Sequence, residues 1–309
     1  MTSARRPLPT DIVALVSFDG KVHPNEAKPL DRLGTRNRTH ALEEALEQWL
    51  SFATGKHTWL NVKGATIHGL VTARPRRKRS AWEVEILIDA DDDKSVVLSL
   101  FNRMLSGVLR AGAERVFLRV NADSALIDSA RSVGFFAYQN ETLYRLSRPP
   151  DVEPSVISLR PRTKKDLLGV FQLYGRIAPA NVRAIEGPTL REWQAAQEKW
   201  GKRTKDFILE DDGVIISHVR TAGGSTGRVT VSAEGGRDTI DDLVRFALSR
   251  LKRSANVLCL ASEHDGGVGR ALLDAGFETD SRYTVLAKRL TKPIAELAKE
   301  TDKEAVPVS

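Results

Sequence analysis

The sequence predicts an α/β (α+β) fold built from two tandem copies of one domain. Two observations carry this. One ending is written twice: "ARSVGFFAYQNETLYRL" over 130–146 and "LLDAGFETDSRYTVLAKRL" over 272–290 each close a short helix on a glycine. Each then continues through phenylalanine into an alternating strand. A long amphipathic helix is also written twice at a constant offset. Val97, Leu100, Phe101, Met104, Leu105 and Val108 in the first copy correspond to Ile240, Leu243, Val244, Ala247, Leu248 and Leu251 in the second.

The elements follow in the same order in both halves. In the first copy "DIVALV" reads as a strand, and a helix over 39–53 turns Leu42, Leu46, Trp49 and Leu50 inward. "TWLNVKGATIHGLVTARP" is a hairpin turning at Lys63 and Gly64. "AWEVEILI" alternates Trp82, Val84, Ile86 and Ile88 with Glu83, Glu85 and Leu87, the pattern of a half-buried strand. The long helix, the strand "VFLRV" and the glycine–aromatic ending complete the copy. The second opens with "VISLRPRTKKDLLGVFQLY", where Thr163 and Asp166 cap a helix with the apolar stripe Leu167, Phe171 and Tyr174. A further helix starts near Thr189, with Glu192 three residues on; then come a hairpin at 211–213, the strand "GRVTVSA", the long helix and the second ending. The proline-containing linker lies at 149–155, so the domains are expected at 1–148 and 156–290, with a polar tail over 291–309.

The composition excludes several function classes. One cysteine among 309 residues rules out an internal disulfide and a cysteine-rich zinc site, and Cys259 in "NVLCLA" reads as a buried thiol. No stretch has the length of a bilayer span and the first residues hold no apolar signal segment, so a cytoplasmic protein with no membrane partner is expected. The net charge of +7 is local: Arg74, Arg76, Arg77, Lys78 and Arg79, with Arg5 and Arg6, equal the surplus. One basic hairpin loop, rather than a basic face, is the only nucleic-acid candidate. No cluster of His, Asp or Glu has metal-ligand spacing, so no metal is expected.

With this order of elements and the paired endings, the chain resembles the GNAT superfamily of acyl-CoA-dependent N-acyltransferases over nearly its whole length, as a tandem pair. "SLRPRTKKDLLGVFQLY" is similar to the family's opening strand and helix. "VFLRVNADSALIDSARSVGFFAY" and "LCLASEHDGGVGRALLDAGFETD" are similar to its closing module. The resemblance implies a splayed, mostly antiparallel sheet flanked by helices, with acetyl-CoA as co-substrate in a gap between two central strands. It also implies a pyrophosphate against a glycine-rich loop that opens the long helix, where free N–H groups suit an anion.

Mapped residue by residue, the family's pattern is broken in copy one, where Asp91, Asp92 and Asp93 stand in place of glycines. Two such charges about 4 Å apart repel by roughly 4 kcal/mol at an effective dielectric near 20. Copy two offers Val231, Ala233, Gly235, Gly236, Arg237, Asp238 and Thr239 as the cofactor loop. The family's proton-donating tyrosine maps onto Ala130 and Leu272, leaving Tyr138, Tyr144 or Tyr283 as substitutes, with Tyr283 the candidate acid. Glu85 is the candidate base for an amine, and His68 and His218 are structural candidates. These residues imply acetyl transfer to an unidentified small-molecule or peptide amine by a monomer or homodimer. The alternative is a tandem fold that binds a ligand or a protein and catalyses nothing.

Overall fold

The computed structural model describes residues 3–20, 23–34, 55–149, 157–201 and 203–291. In the first copy these form β1 (Ser3–Arg5), α1 (Ile12–Asp19), β2 (His57–Lys63), β3 (Thr66–Pro75), β4 (Ala81–Asp89), α2 (Lys94–Arg110), β5 (Arg115–Asn121), α3 (Leu126–Ser132) and β6 (Phe136–Leu146). The second copy supplies β7 (Arg160–Pro161), α4 (Leu167–Ile177), α5 (Ala180–Glu186), α6 (Leu190–Ala196), β8 (Thr204–Asp211), β9 (Val214–Ala222) and β10 (Thr226–Ala233). It closes with α7 (Arg237–Arg250), β11 (Asn256–Ser262), α8 (Gly266–Asp274) and β12 (Glu278–Arg289). The helix expected over 39–53, most of the linker and the tail from 292 lie outside the described residues.

All twelve strands join one sheet in the order β1-β2-β3-β4-β5-β12-β6-β11-β10-β9-β8-β7. Neighbours run antiparallel except β4–β5 and β10–β11. The closing strands change sides. β12, the end of copy two, lies beside β5 of copy one, while β6, the end of copy one, lies beside β11 of copy two. Leu286 of β12 accordingly enters the first core with Phe101, Met104 and Leu118, and Leu146 of β6 enters the second with Leu243, Val244 and Val257. The limits of the sequence repeat therefore differ from the boundary between the two halves of the sheet.

The repeated ending has a local cause. Gly134 and Gly276 both have φ of +87°, the left-handed conformation that glycine adopts without a Cβ penalty. After α3, Phe135 N–H donates to the Ala130 carbonyl (3.1 Å) and Gly134 N–H to that of Arg131 (2.9 Å). After α8, Phe277 donates to Leu272 (3.0 Å) and Gly276 to Leu273 (3.0 Å). These paired bonds satisfy the last carbonyls of each helix and point both phenylalanines into their cores. All twelve core positions assigned to the two long helices are buried.

Three expectations need correction. "DIVALV" is helical. Asp11 accepts from Leu8 N–H (2.8 Å) and pairs with Arg5 (2.6 Å), fixing a helical start, while Ala14, Leu15 and Phe18 reach the core at helical spacing. Val13 and Val16 face solvent, and this mixture imitates a strand in sequence. β4 is buried on both faces rather than half-buried, because α2 covers one face and α1 and the second copy cover the other. The stripe of α4 buries Val170 and Leu173 more fully than Leu167, Phe171 or Tyr174.

Candidate functional site

Each copy opens a wedge in the sheet. β4 and β5 pair only from Ala81–Arg115 to Glu83–Phe117, although both strands run on to Asp89 and Asn121. β10 and β11 pair only from Thr226–Asn256 to Val229–Cys259, and run on to Ala233 and Ser262. Backbone groups beyond the fork need other partners.

In copy one the chain itself supplies them. Glu26 N–H donates to the Leu87 carbonyl of β4 (2.9 Å), and Lys28 N–H donates to the Arg119 carbonyl of β5 (2.9 Å). Asn25 completes the bridge, with Nδ2 donating to the Glu85 carbonyl (3.1 Å) and Oδ1 accepting from Leu87 N–H (2.9 Å). Ala27 is fully buried between the strands and packs into the first core. The same segment continues over the sheet, where Leu30 and Leu33 pack on Leu143, Leu258 and Tyr283, and Arg228 of β10 donates to the Asp31 carbonyl (2.7 Å).

In copy two the wedge opens into a cavity of about 220 Å³ between the sheet and α4, α5 and α6. Thr230, Val231 and Ser232 of β10 and Leu260 and Ser262 of β11 form its floor. Tyr174, Trp193 and Trp200 form an aromatic side. Polar groups converge on it from both copies. Arg119 binds Glu141 (2.6 Å) and Glu198 (2.9 Å), and Arg76 also binds Glu198 (3.1 Å). Glu186 accepts from the hydroxyls of Tyr138 (3.2 Å) and Tyr174 (3.0 Å). Burial, reinforced by Glu186, raises both phenols, so they remain donors. Burial also raises the Glu186 carboxyl above its ordinary range. The Asp265 carboxyl is pushed up to about 7 by burial, then by Glu141 and Glu186. Burial lowers His218 and His264; His218 bonds Asp206 through Nε2 (2.9 Å) and is a neutral imidazole near pH 7.

The two long helices also start differently. In copy one, Asp93 caps α2 by accepting from Ser95 N–H (2.7 Å), and Asp91 is occupied by His68. The carboxylates of Asp91 and Asp93 are thus taken up within the first copy. In copy two, α7 begins after Gly235, at φ +155°, and Gly236, with no side-chain cap; a Cβ on Gly236 would meet nothing within 4 Å. This backbone suits an anion.

The structure separates the residues expected at the site. Glu85 is surrounded by Arg74 (2.9 Å), Arg32 (3.2 Å) and Lys56 (3.3 Å) beside the filled wedge, and it does not line the cavity. Its carboxylate is held in ion pairs with these three cations. Tyr283 is buried among Leu30, Leu33, Leu143 and Leu258, also away from the cavity lining. Of the cofactor loop, Val231 lines the cavity and Ala233 packs on the second core, while Gly235, Gly236 and Asp238 are exposed and Thr239 is half-buried. Arg237 is exposed and donates to Asp274 (2.5 Å). The basic run is not one exposed loop: Arg74 binds Asp31 (2.7 Å), Glu83 (2.7 Å) and Glu85, and Arg76 is buried over the Phe117 ring (4.0 Å). Only Arg77, Lys78 and Arg79 face solvent. Cys259 is buried, as expected.

Sequence reasoning missed Glu186, Asp265 and Trp193. They lie far apart in the chain, and only the strand fork and the cover of α4–α6 bring them together. No protein-family model and no curated protein matches the chain. Among solved structures it is similar to a GCN5-related N-acetyltransferase from Sphaerobacter thermophilus, at 17% identity and TM-score 0.54, over 93% of this chain and 95% of the other. It is likewise similar to a putative acetyltransferase from Pyrococcus horikoshii, at 11% and 0.53, over 93% and 89%. A tandem GNAT protein from the clavulanic acid biosynthesis pathway matches at 11% and 0.53, over 95% and 100%. At such identities the likeness concerns architecture. The chain has the GNAT fold, written twice in tandem.

Proposed function

We propose that this protein is an acyl-CoA-dependent N-acyltransferase with a single working wedge, that of copy two, and that copy one serves as scaffold. One observation carries the reading: the wedge of copy one is bridged by Asn25–Lys28, whereas that of copy two opens into a cavity lined by titratable groups. Acyl-CoA supplies an activated acyl thioester, and Gly235, Gly236 and the uncapped start of α7 are the groups to hold its phosphates. An amine arriving as an ammonium must lose a proton before it attacks a carbonyl. Asp265, titrating at about 7, is matched to take that proton near neutral pH.

The test is consumption of acetyl-CoA, followed as free thiol, with a panel of small amines. Amine-dependent thiol release that falls at least tenfold in Asp265→Asn supports the reading. No release with any amine, together with no calorimetric heat from acetyl-CoA, rejects it.

A specific contact favours a second reading, a ligand-binding module without chemistry. α8 approaches α7 so closely that a Cβ on Gly267 would lie 2.7 Å from Ile240 Cδ1, and Arg237 is engaged by Asp274. Both features narrow the approach to the start of α7. Under this reading the cavity binds its ligand whether or not CoA is present.

A further inference from the structure

One wall of the cavity carries donors that no group of the chain engages. His218 and Arg220 of β9 stand opposite Ser232 and Thr230 of β10 in the antiparallel register, and all four line the cavity. Arg220 binds Asp206 through Nε (2.6 Å), and its two terminal nitrogens make no hydrogen bond among the described residues. Neither the Thr230 nor the Ser232 hydroxyl makes one there either. These atoms all keep accessible surface, so a ligand can reach them. Trp200, also in the lining, packs against the Arg220 guanidinium at 5.3 Å.

The charge at this wall is unbalanced as well. Asp206 is shared by Arg220, by Arg162 (3.7 Å) and by the neutral imidazole of His218 (2.9 Å). Arg77 adds a third guanidinium. Its turn is pinned by Arg76, which donates to the Ala196 carbonyl (2.8 Å), and Arg77 faces Arg220, Arg162 and Asp206. Three guanidinium groups thus meet one carboxylate. The acids of the cavity are engaged elsewhere: Glu141 and Glu198 are held by Arg119 and Arg76, and Asp265 faces Glu141 and Glu186.

We propose that this wall is a carboxylate subsite, so that the molecule entering the cavity is a small carboxylic acid. Its carboxylate pairs with Arg220 and accepts from Thr230 and Ser232, inside the positive field of Arg77 and Arg162. A CoA phosphate is the other source of negative charge, but Thr230 and Ser232 lie on the strand face away from α7. Val229 and Val231, which alternate with them, enter the core that α7 covers. Binding of the carboxylate stands on this geometry alone. That the same molecule is the acyl acceptor, and hence an amino acid, rests on the transfer reading above.

The experiment is calorimetric titration of the whole protein, without CoA, using butyrate, 1-butanol and inorganic phosphate. The proposal expects butyrate to bind, 1-butanol not to bind, and phosphate to bind more weakly than butyrate. Arg220→Gln should weaken butyrate about tenfold, and Arg77→Ala about threefold. Arg77 is exposed, so the second variant keeps the test decisive if the first folds poorly. No butyrate binding, 1-butanol or phosphate binding as tightly as butyrate, or unchanged affinity in every variant that folds overturns it. Thiol release from acetyl-CoA then separates this proposal from the transfer reading, with 4-aminobutyrate expected to exceed butylamine about tenfold in kcat/KM. Butyrate binding with no thiol release from either amine counts against transfer and keeps the subsite. Equal thiol release from both, with no butyrate binding, does the reverse.

Discussion

Arg119 shows how much one side chain carries at the junction of the copies. It is 6% exposed, yet its guanidinium meets Glu141 of β6, Glu198 after α6 and the Lys28 carbonyl (3.1 Å) of the segment bridging the first wedge. Three other parts of the chain converge on one cation of β5. Replacing Arg119 with Met removes the charge and leaves Glu141 without its cation in a poorly solvated place, while Glu198 keeps Arg76, and uncompensated buried charge of this kind costs about 3–5 kcal/mol. Arg237 is the contrast. Its side chain is exposed and its partner Asp274 is too, so Arg237→Ala is expected to change stability by less than about 1 kcal/mol. Urea denaturation of both variants checks the pair. Equal, small losses for the two would mean that the junction is solvated and that Arg119 has no special place in it.

At the scale of elements, the segment around Asn25 is the feature that sequence patterns hide most completely. "HPNEAKPLDRLG" has neither the period of a helix nor that of a strand, and its polar composition reads as a loop. Its order comes from outside, from the backbone groups that β4 and β5 expose beyond their fork. Asn25→Ala would leave Leu87 N–H and the Glu85 carbonyl without their partner in a buried setting, a loss on the order of 3 kcal/mol. Hydrogen exchange at Leu87 should quicken in the variant, and unchanged protection would show that the bridge is not what orders the wedge. The two long helices, the helix after Thr163 and the hairpins, by contrast, were legible, because caps such as Thr163 with Asp166 and glycines such as Gly134 and Gly276 act locally. "DIVALV" misled because its consecutive apolar residues fit either period, and the tie is broken by Asp11 bonding backwards to Leu8. The candidate site was the least legible part. Gly235 and Gly236 precede α7, but Glu186 acquires its character from burial, and Asp265 from burial and then from Glu141 and Glu186, which spacing in the chain does not encode.

At the scale of the whole molecule, exchange of the closing strands decides how the two copies depend on each other. β12 fills the place beside β5 with Thr284, Val285, Leu286 and Ala287 all buried, and β6 does the same beside β11 with Leu143 and Leu146. Each fully buried aliphatic side chain contributes about 1.5–3 kcal/mol, and the ladder bonds of an interior strand are lost with it. A copy cut from its partner therefore loses a central strand rather than a contact surface, and presents β5 or β11 as an open edge. The intact chain should unfold in one step, with tryptophan fluorescence and far-ultraviolet circular dichroism changing together, since Trp59 and Trp82 lie in the first half and Trp193 in the second. Residues 1–149 and 157–291 produced separately should be unfolded or self-associated, and should regain the native spectrum when mixed. A monomeric, cooperatively folding fragment of either half would mean that its own closing strand can turn back beside its own sheet. In that case the exchange would be a choice between two near-equal pairings. The cavity, whose walls draw Arg119, Tyr138 and Glu141 from copy one and Glu186, Glu198 and Asp265 from copy two, would then exist only in the exchanged form.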